Sequence, residues 1–344
     1  MSTYIIAECG QNHNGDIDIA MELINMASQP IFYNGERLER CNAVKFTVRD
    51  LEHEMTPQLA NKRYNSKHRY ATKYGNHREK LELSFNEIHE LYFYANNLGL
   101  DFILTLCQST LVDTYKNMCD KIKVASRDLN NIPLLKELAK TDKHIILSTG
   151  MISSSLDLVQ ALGILRKNKV SILHCVSSYP TNYKDLGLDT LQSRICHGKS
   201  GWLQKGFSDH TTGILAGPIA VALGAHMIEK HITLDRDMKG TDHAGSLGPE
   251  GFHRYIRDIR NTEKMLTKSY VGVCDQVVKN KKKLGRSLAY KANRAKGEMI
   301  VEQDLIMISP GGGLEWFDAS RFIGKGVAQN VYKNNLVKEN DFYE

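Results

Sequence analysis

The stretch GFSDHTTG at residues 206–213, read together with IEKHITLD at residues 228–235, sets the frame for the whole chain. Each histidine closes an apolar run, WLQKGFSD before His210 and HMIEKHITL around His231, so both fall at the same end of neighbouring strands. Two imidazoles placed in that way could share one divalent cation. The plain alternative is a pair of hydrogen-bonded structural histidines, in a chain that has 13 of them.

Upstream of that pair the same kind of run recurs six times, as TYIIAE (3–8), NAVKFTV (42–48), LDFILTLC (100–107), KIKVAS (121–126), HIILSTG (144–150) and VSILHCVS (170–177). Helical spacing separates most of them, over Asp16 to Met26, Phe85 to Leu98, Ser109 to Met118, Ile132 to Lys140, Ser154 to Lys167 and Gly213 to Leu223, with a last helix from Phe252 to about Thr267. Eight strand–helix units by about residue 268 predict an α/β fold, a (β/α)8 barrel with its chemistry at the C-terminal strand ends. Polar residues collect there. An open doubly wound sheet is the competing architecture, but no Gly-rich dinucleotide fingerprint follows the first strand.

Within NAVKFTV, Lys45 and Thr47 project to one face and Val44, Phe46 and Val48 to the other. A lysine in such a strand needs a purpose. The insertion around Pro30 and Gly35 precedes that strand, and Arg49 to Leu83, polar and without periodicity, predicts a long loop at its end. After the barrel, Ser269 to Leu284 predicts a linker ending in a lysine run, and residues 285–344 a small β-rich module. About 60 residues make a small independent core.

The chain of 344 residues has 42% hydrophobic residues, enough for a sizeable core, and a formal net charge of +6. Its basic residues are dispersed, apart from the run at Lys279 to Lys283, which argues against nucleic acid and suits a small anionic substrate. Seven cysteines without a CxxC pair predict reduced thiols and a cytoplasmic protein. The composition predicts no signal peptide and no membrane span.

The succession IAECGQNHNGD, AVKF, KVASRDLNNIPLL, IILSTGMIS, ILHCVSSYPT, GFSDHT, ALGAHMIEKHITLDR and GTDHAGSLGPEGF resembles the sialic acid synthase family, and the tail resembles its antifreeze-protein-like (SAF) domain. The resemblance covers nearly the whole chain. It implies a transferase that condenses phosphoenolpyruvate with an open-chain aldose, giving a 2-keto-3-deoxy sugar acid and phosphate. It also implies His210 and His231 as ligands of Mn²⁺ or Mg²⁺, and Lys45 and Lys123 as holders of phosphoenolpyruvate, with Thr105, Ser126, Ser148 and Ser208 as hydroxyl donors. Asp128 stands where the family usually has a glutamate and would activate water. Glu8 would hold the sugar or a metal-bound water, and Asp242, Tyr179 and Ser177 would line the sugar pocket. A domain-swapped homodimer, with the tail closing a neighbour's site, completes these expectations.

Departures from the family pattern cluster on the sugar side. Thr47 replaces a glutamine and Ser177 an asparagine, LTLCQ replaces STPFD, Arg127 fills a small-residue slot, and Ser309 stands where a partner's arginine is expected. Together they predict an aldose other than N-acetylmannosamine, such as a non-acetylated one. The competing functions are a metal-dependent aldolase or hydrolase, which the lysine pair argues against, and a non-catalytic sugar-binding barrel.

Overall fold

The structure is a computed structural model and describes residues 2–119, 121–192, 203–267 and 275–343. It divides into two compact units, 1–267 and 268–344. In the first, β1 (Tyr4–Gly10), β2 (Ala43–Val48), β3 (Asp101–Leu106), β4 (Lys121–Val124), β5 (His144–Ser148), β6 (Val170–His174), β7 (Leu203–Asp209) and β8 (Met227–His231) close into a barrel. Every pairing is parallel, and β8 closes on β1 with Glu8 opposite His231. Among the described residues the expected (β/α)8 barrel is present.

Strand alternation builds the interior in layers. Ile6, Ala43, Ile103, Ile146, Leu173 and Met227 form one apolar plug inside the barrel. Gly206 belongs to that level, where a Cβ would lie 2.4 Å from Leu173 Cδ2 and 2.5 Å from the Met227 carbonyl. Two residues further along these strands come Glu8, Lys45, Thr105, Ser148, Cys175, Ser208 and Glu229, and on β4 Lys123. The apolar plug is therefore the underside of a polar floor. The intervening residues, such as Ile5, Val44, Phe46, Phe102, Leu104 and Ile122, face outward and form the main core with the helices.

Helix starts follow local chemistry. Asp16 caps the helix Ile17–Ser28 by accepting from the backbone of Asp18 and Ile19, and Ser84 with Glu87 forms a capping box at the helix Phe85–Asn97. The insertion before β2 is a hairpin, Ile31–Tyr33 with Glu36–Leu38, turned by Asn34 and Gly35 at φ 51° and 79°.

Several sequence expectations are revised. The stretch from Arg49 to Leu83 is not a plain loop but holds three short helices, Leu51–Glu54, Pro57–Ala60 and Tyr74–Glu79, the first two capped by Asp50 and Thr56. Elements of four to six residues are too short to show a helical period. The Ser109 to Met118 segment breaks into short α and 3₁₀ turns, and the helices expected to reach Lys167 and to begin at Gly213 are Ser155–Ile164 and Ala216–Ala222. Of the expected linker, Asp275–Leu284 is a helix, whereas 269–274 lie outside the described residues, as do Trp202, Cys196 and Cys274.

The second unit pairs Ser287–Tyr290 antiparallel with Leu305–Ile308 and gathers Leu288, Tyr290, Ile300, Leu305, Phe322, Val327 and Phe342 into its own core. Buried polar links support it, with Tyr290 donating to Asp341 Oδ2 at 3.0 Å and Arg294 paired to Asp304.

Candidate active site

The floor of the barrel mouth holds two lysines and two glutamates, all buried. Lys45 Nζ donates to Thr105 Oγ1 at 2.9 Å, is ion-paired with Glu8, and lies 3.7 Å from Glu229 Oε2. Lys123 Nζ lies 3.5 Å from Glu229 Oε1, which also accepts from Ser208 Oγ at 2.7 Å. Burial opposes ionisation of Glu229, but Lys123, Lys45 and the Ser208 hydroxyl together hold its carboxyl below the usual range. Burial also acts on Glu8, where Lys45 offsets it only in part and Glu229 adds to it, so that the carboxyl rises to about 7. Neighbouring carboxylates are thereby split into a fixed anion and a proton carrier near neutral pH.

Above them stand the histidines, with ring centroids 5.6 Å apart. His210 Nδ1 lies 2.8 Å from the Val176 carbonyl, which can only accept, so this hydrogen-bond network puts the proton on Nδ1 and leaves a lone pair on Nε2. Ser208 Oγ is 3.2 Å from that Nε2, but its own proton goes to Glu229. Burial and then His231 lower the pKa of His210 to about 4, and His231 is lowered by burial as well. His231 Nδ1 is buried without a hydrogen-bond partner. The two rings thus offer a free lone pair and an unpartnered nitrogen in one place, a set that fits a divalent cation with open coordination positions. Among the described residues no three or more His, Cys, Asp or Glu side chains gather into a closed metal cage.

Gly10 makes room for this arrangement. It has φ +48°, and a Cβ there would stand 3.0 Å from Glu8 Oε1 and 3.5 Å from the His231 ring.

A cavity of about 360 Å³ opens over the floor, lined by Glu8, Lys45, Lys123, Thr105, Ser126, Ser148, Ser177, Tyr179, Ser208, His210, His231 and Asp242. Those are all but one of the residues singled out from the sequence. Ser148 Oγ is buried there with no partner, Ser126 Oγ accepts from Gly150 N at 3.1 Å, and Tyr179 packs on His210 with centroids 4.3 Å apart. The exception is Asp128, which lines an adjoining hollow with Glu54, Asn131 and Arg127, its Oδ2 3.4 Å from Arg127 Nε.

Sequence reasoning missed Glu229, although it shares a strand face with His231, two residues on, and simple alternation marks it as inward-facing. It also missed Arg49, Tyr64, Tyr74, His77 and Arg78, which line the same cavity from the 49–83 segment. Nothing periodic marks them. That segment is fixed to the loop after β8, with Tyr70 Oη donating to the Lys239 carbonyl at 2.5 Å and Gly240 N donating to His68 Nδ1 at 3.2 Å.

Residues 37–270 match the model of the NeuB family. The chain belongs to the NeuB family. It is 32% identical to an N,N'-diacetyllegionaminic acid synthase of Campylobacter jejuni, over 98% of this chain and 99% of that one. It is 31% identical to the human N-acetylneuraminate-9-phosphate synthase, over 98% and 91% of the two chains. An N-acetylneuraminic acid synthetase structure from Leptospira borgpetersenii, in complex with citrate, superposes with a TM-score of 0.67 at 28% identity, covering 81% of this chain and 90% of that one. The NeuB-family chain is accordingly an enzyme of the sialic acid synthase kind. No described helix is long and apolar enough to cross a membrane, and no disulfide forms among the described residues.

Proposed function

We propose that this protein condenses phosphoenolpyruvate with an open-chain aldose to give a 2-keto-3-deoxy sugar acid and phosphate. The observation that carries this reading is the convergence of Lys45 and Lys123 on one carboxylate, Glu229, directly beneath two neutral histidines. Lysines so held are point charges for a small trianion, and the unpartnered Ser148 hydroxyl with Thr105, Ser126 and Ser208 supplies fixed donors around it. The names of the relatives, synthases of nonulosonic acids, support the same general reaction.

In the balanced reaction C3 of phosphoenolpyruvate attacks the aldehyde carbon, whose oxygen gains a proton and becomes a hydroxyl. Water then adds to C2 and loses a proton, and the C2–O bond to phosphate breaks as the ketone forms. His210 and His231 would hold Mn²⁺ or Mg²⁺, which when bound supplies Lewis-acid polarisation of the aldehyde. Glu8, with its carboxyl near 7, is suited to hold or release the proton that this sequence moves. Glu229 keeps the lysines in place, while Asp242, Tyr179 and Ser177 line the side open to the sugar. Asp128, expected to activate water, lies in the adjoining hollow, so Glu8 takes precedence for that task.

Thr47 and Ser177 at the wall support an aldose other than N-acetylmannosamine, since a site lacking amide-matched donors leaves those groups of the sugar unpaired. We further assign the second unit as an antifreeze-protein-like module that covers a neighbour's cavity in a cytoplasmic homodimer. Sedimentation showing a fully active monomer would count against that part.

The test is phosphate release from phosphoenolpyruvate with Mn²⁺ across N-acetylmannosamine, mannose, arabinose 5-phosphate and diacetamido sugars, with His210→Ala as the blank. Release with one acceptor, lost in the variant, is the expected result. Silence across the panel with metal bound would favour a sugar-binding barrel without turnover.

A further inference from the structure

We propose that the cavity carries a second anion subsite centred on Arg78, and that the acceptor is an aldose bearing a phosphate monoester on its chain away from the aldehyde. The proposal rests on the condensation reading and names its substrate class.

Five cationic side chains line the cavity, namely Lys45, Lys123, Arg49, Arg78 and Arg127. Four of them have a carboxylate within ion-pair distance. Lys45 and Lys123 share Glu8 and Glu229, Arg49 meets Glu82 at 2.7 Å and Glu54 at 3.7 Å, and Arg127 meets Glu54 at 2.6 Å and Asp128 at 3.4 Å. Arg78 makes no ion pair among the described residues. Its Nη1 donates to Gln11 Oε1 at 3.0 Å, its guanidinium lies 5.9 Å from the Tyr74 ring centroid, and its Nε is buried with no partner. A partly buried guanidinium with no carboxylate in ion-pair range is under-compensated, and a ligand anion relieves that cost. Burial, and after it the charge of Arg49, lower the pKa of Arg78, and Tyr74, Glu54 and Glu82 offset this only in part.

The neighbouring side chains complete a phosphate cradle. His77 stacks with Tyr64 and with Tyr70, at centroid distances of 4.5 and 6.0 Å, and its Nδ1 accepts from Tyr70 N at 3.2 Å. Burial and then Arg78 keep that ring neutral, so its proton sits on Nε2 as a fixed donor. Tyr64, Tyr74 and His77 line the cavity beside Arg78. Planar, multiply donating guanidinium suits phosphate oxygens.

The position separates this subsite from the floor. Gln11, which Arg78 contacts, follows the end of β1 and lies three residues beyond Glu8, so Arg78 belongs to the wall supplied by the 49–83 segment. Phosphoenolpyruvate on the lysines and a phosphate at Arg78 would leave the sugar chain to bridge the two.

The test compares mannose with mannose 6-phosphate, and N-acetylmannosamine with its 6-phosphate, by phosphate release and by calorimetric binding. The phosphorylated member of a pair should have a kcat/KM higher by roughly 10- to 100-fold, the worth of a charge-assisted contact. Arg78→Gln should bring that ratio towards one, and Arg78→Lys should keep part of it. Equal use of both members, or a ratio unchanged in Arg78→Gln, overturns the proposal. A rise in KM for phosphoenolpyruvate with the ratio intact also overturns it, because Arg78 would then serve the other substrate. If no aldose releases phosphate, the condensation reading fails, and calorimetry decides this one. Binding of a 6-phosphate but not of the free sugar, lost in Arg78→Gln, upholds the subsite, and no difference between them removes it.

Discussion

Ser208 Oγ donates to Glu229 Oε1 at 2.7 Å while standing 3.2 Å from His210 Nε2. One hydroxyl thus fixes an anion between two lysines and leaves an imidazole lone pair without a proton. Glu229→Gln keeps the volume but removes the charge that Lys45 and Lys123 share. Leaving buried lysines under-compensated should cost about 3 kcal/mol of folding stability, read as a lower denaturant midpoint at unchanged slope. An unchanged midpoint would show that Glu8 alone balances both lysines.

The proposed metal binding by His210 and His231 can be tested apart from turnover. Protein freed of metal with a chelator and titrated with Mn²⁺ should lose the free-ion electron paramagnetic resonance signal in proportion to added protein. His210→Ala and His231→Ala should each weaken this uptake by about tenfold or more, since losing a direct ligand should cost at least as much as losing a residue that only supports one. Uptake equal to wild type in both variants would place the cation elsewhere.

The barrel was legible because its evidence is periodic. Alternation in NAVKFTV put Lys45 and Thr47 on one shared face, and the strand ends picked out His210 and His231. Glu229 lay within reach of the same logic and was passed over because its partners, Lys45 and Lys123, come from other strands. Arg78 and His77 could not be reached in this way, because short helices in a polar segment carry no period, and only folding brings them to the cavity wall. Asp128 falls outside the cavity for a different reason. Its spacing after β4 is right, but the 3₁₀ turn Ser126–Asp128 directs Ser126 to the cavity and Asp128 to the adjoining hollow.

Two histidines away from His210 and His231 set an acid limit on stability. Burial, and then Lys169 and Lys121, lower His144 from 6.5 to about 4, and burial, and then Arg49, do the same for His13. In the unfolded chain both protonate near 6.5. Between these values the unfolded state binds more protons, so stability is complete above 6.5 and is lost as the pH falls towards 4. His144→Gln, whose amide reaches the position of Nε2 and can still meet Ser171, should make this decline shallower. An identical pH slope in wild type and variant, measured by denaturant titration, would assign the protons to other groups.

The division of labour between carboxylates can be tested directly. Glu8 lies on the floor with its carboxyl near 7, whereas Asp128 is held beside Arg127 in the hollow next door. A group that transfers a proton in the reaction typically contributes about 10²- to 10⁴-fold. Glu8→Gln should therefore lower kcat by that order, with the effect steepest on the limb of the pH profile around 7. Asp128→Asn, in the adjoining hollow, should change kcat by less than about tenfold and leave the profile where it is. If Asp128→Asn instead abolished turnover and flattened that limb, the hollow would have to open onto the cavity during the reaction, and the water-activating role would return to Asp128.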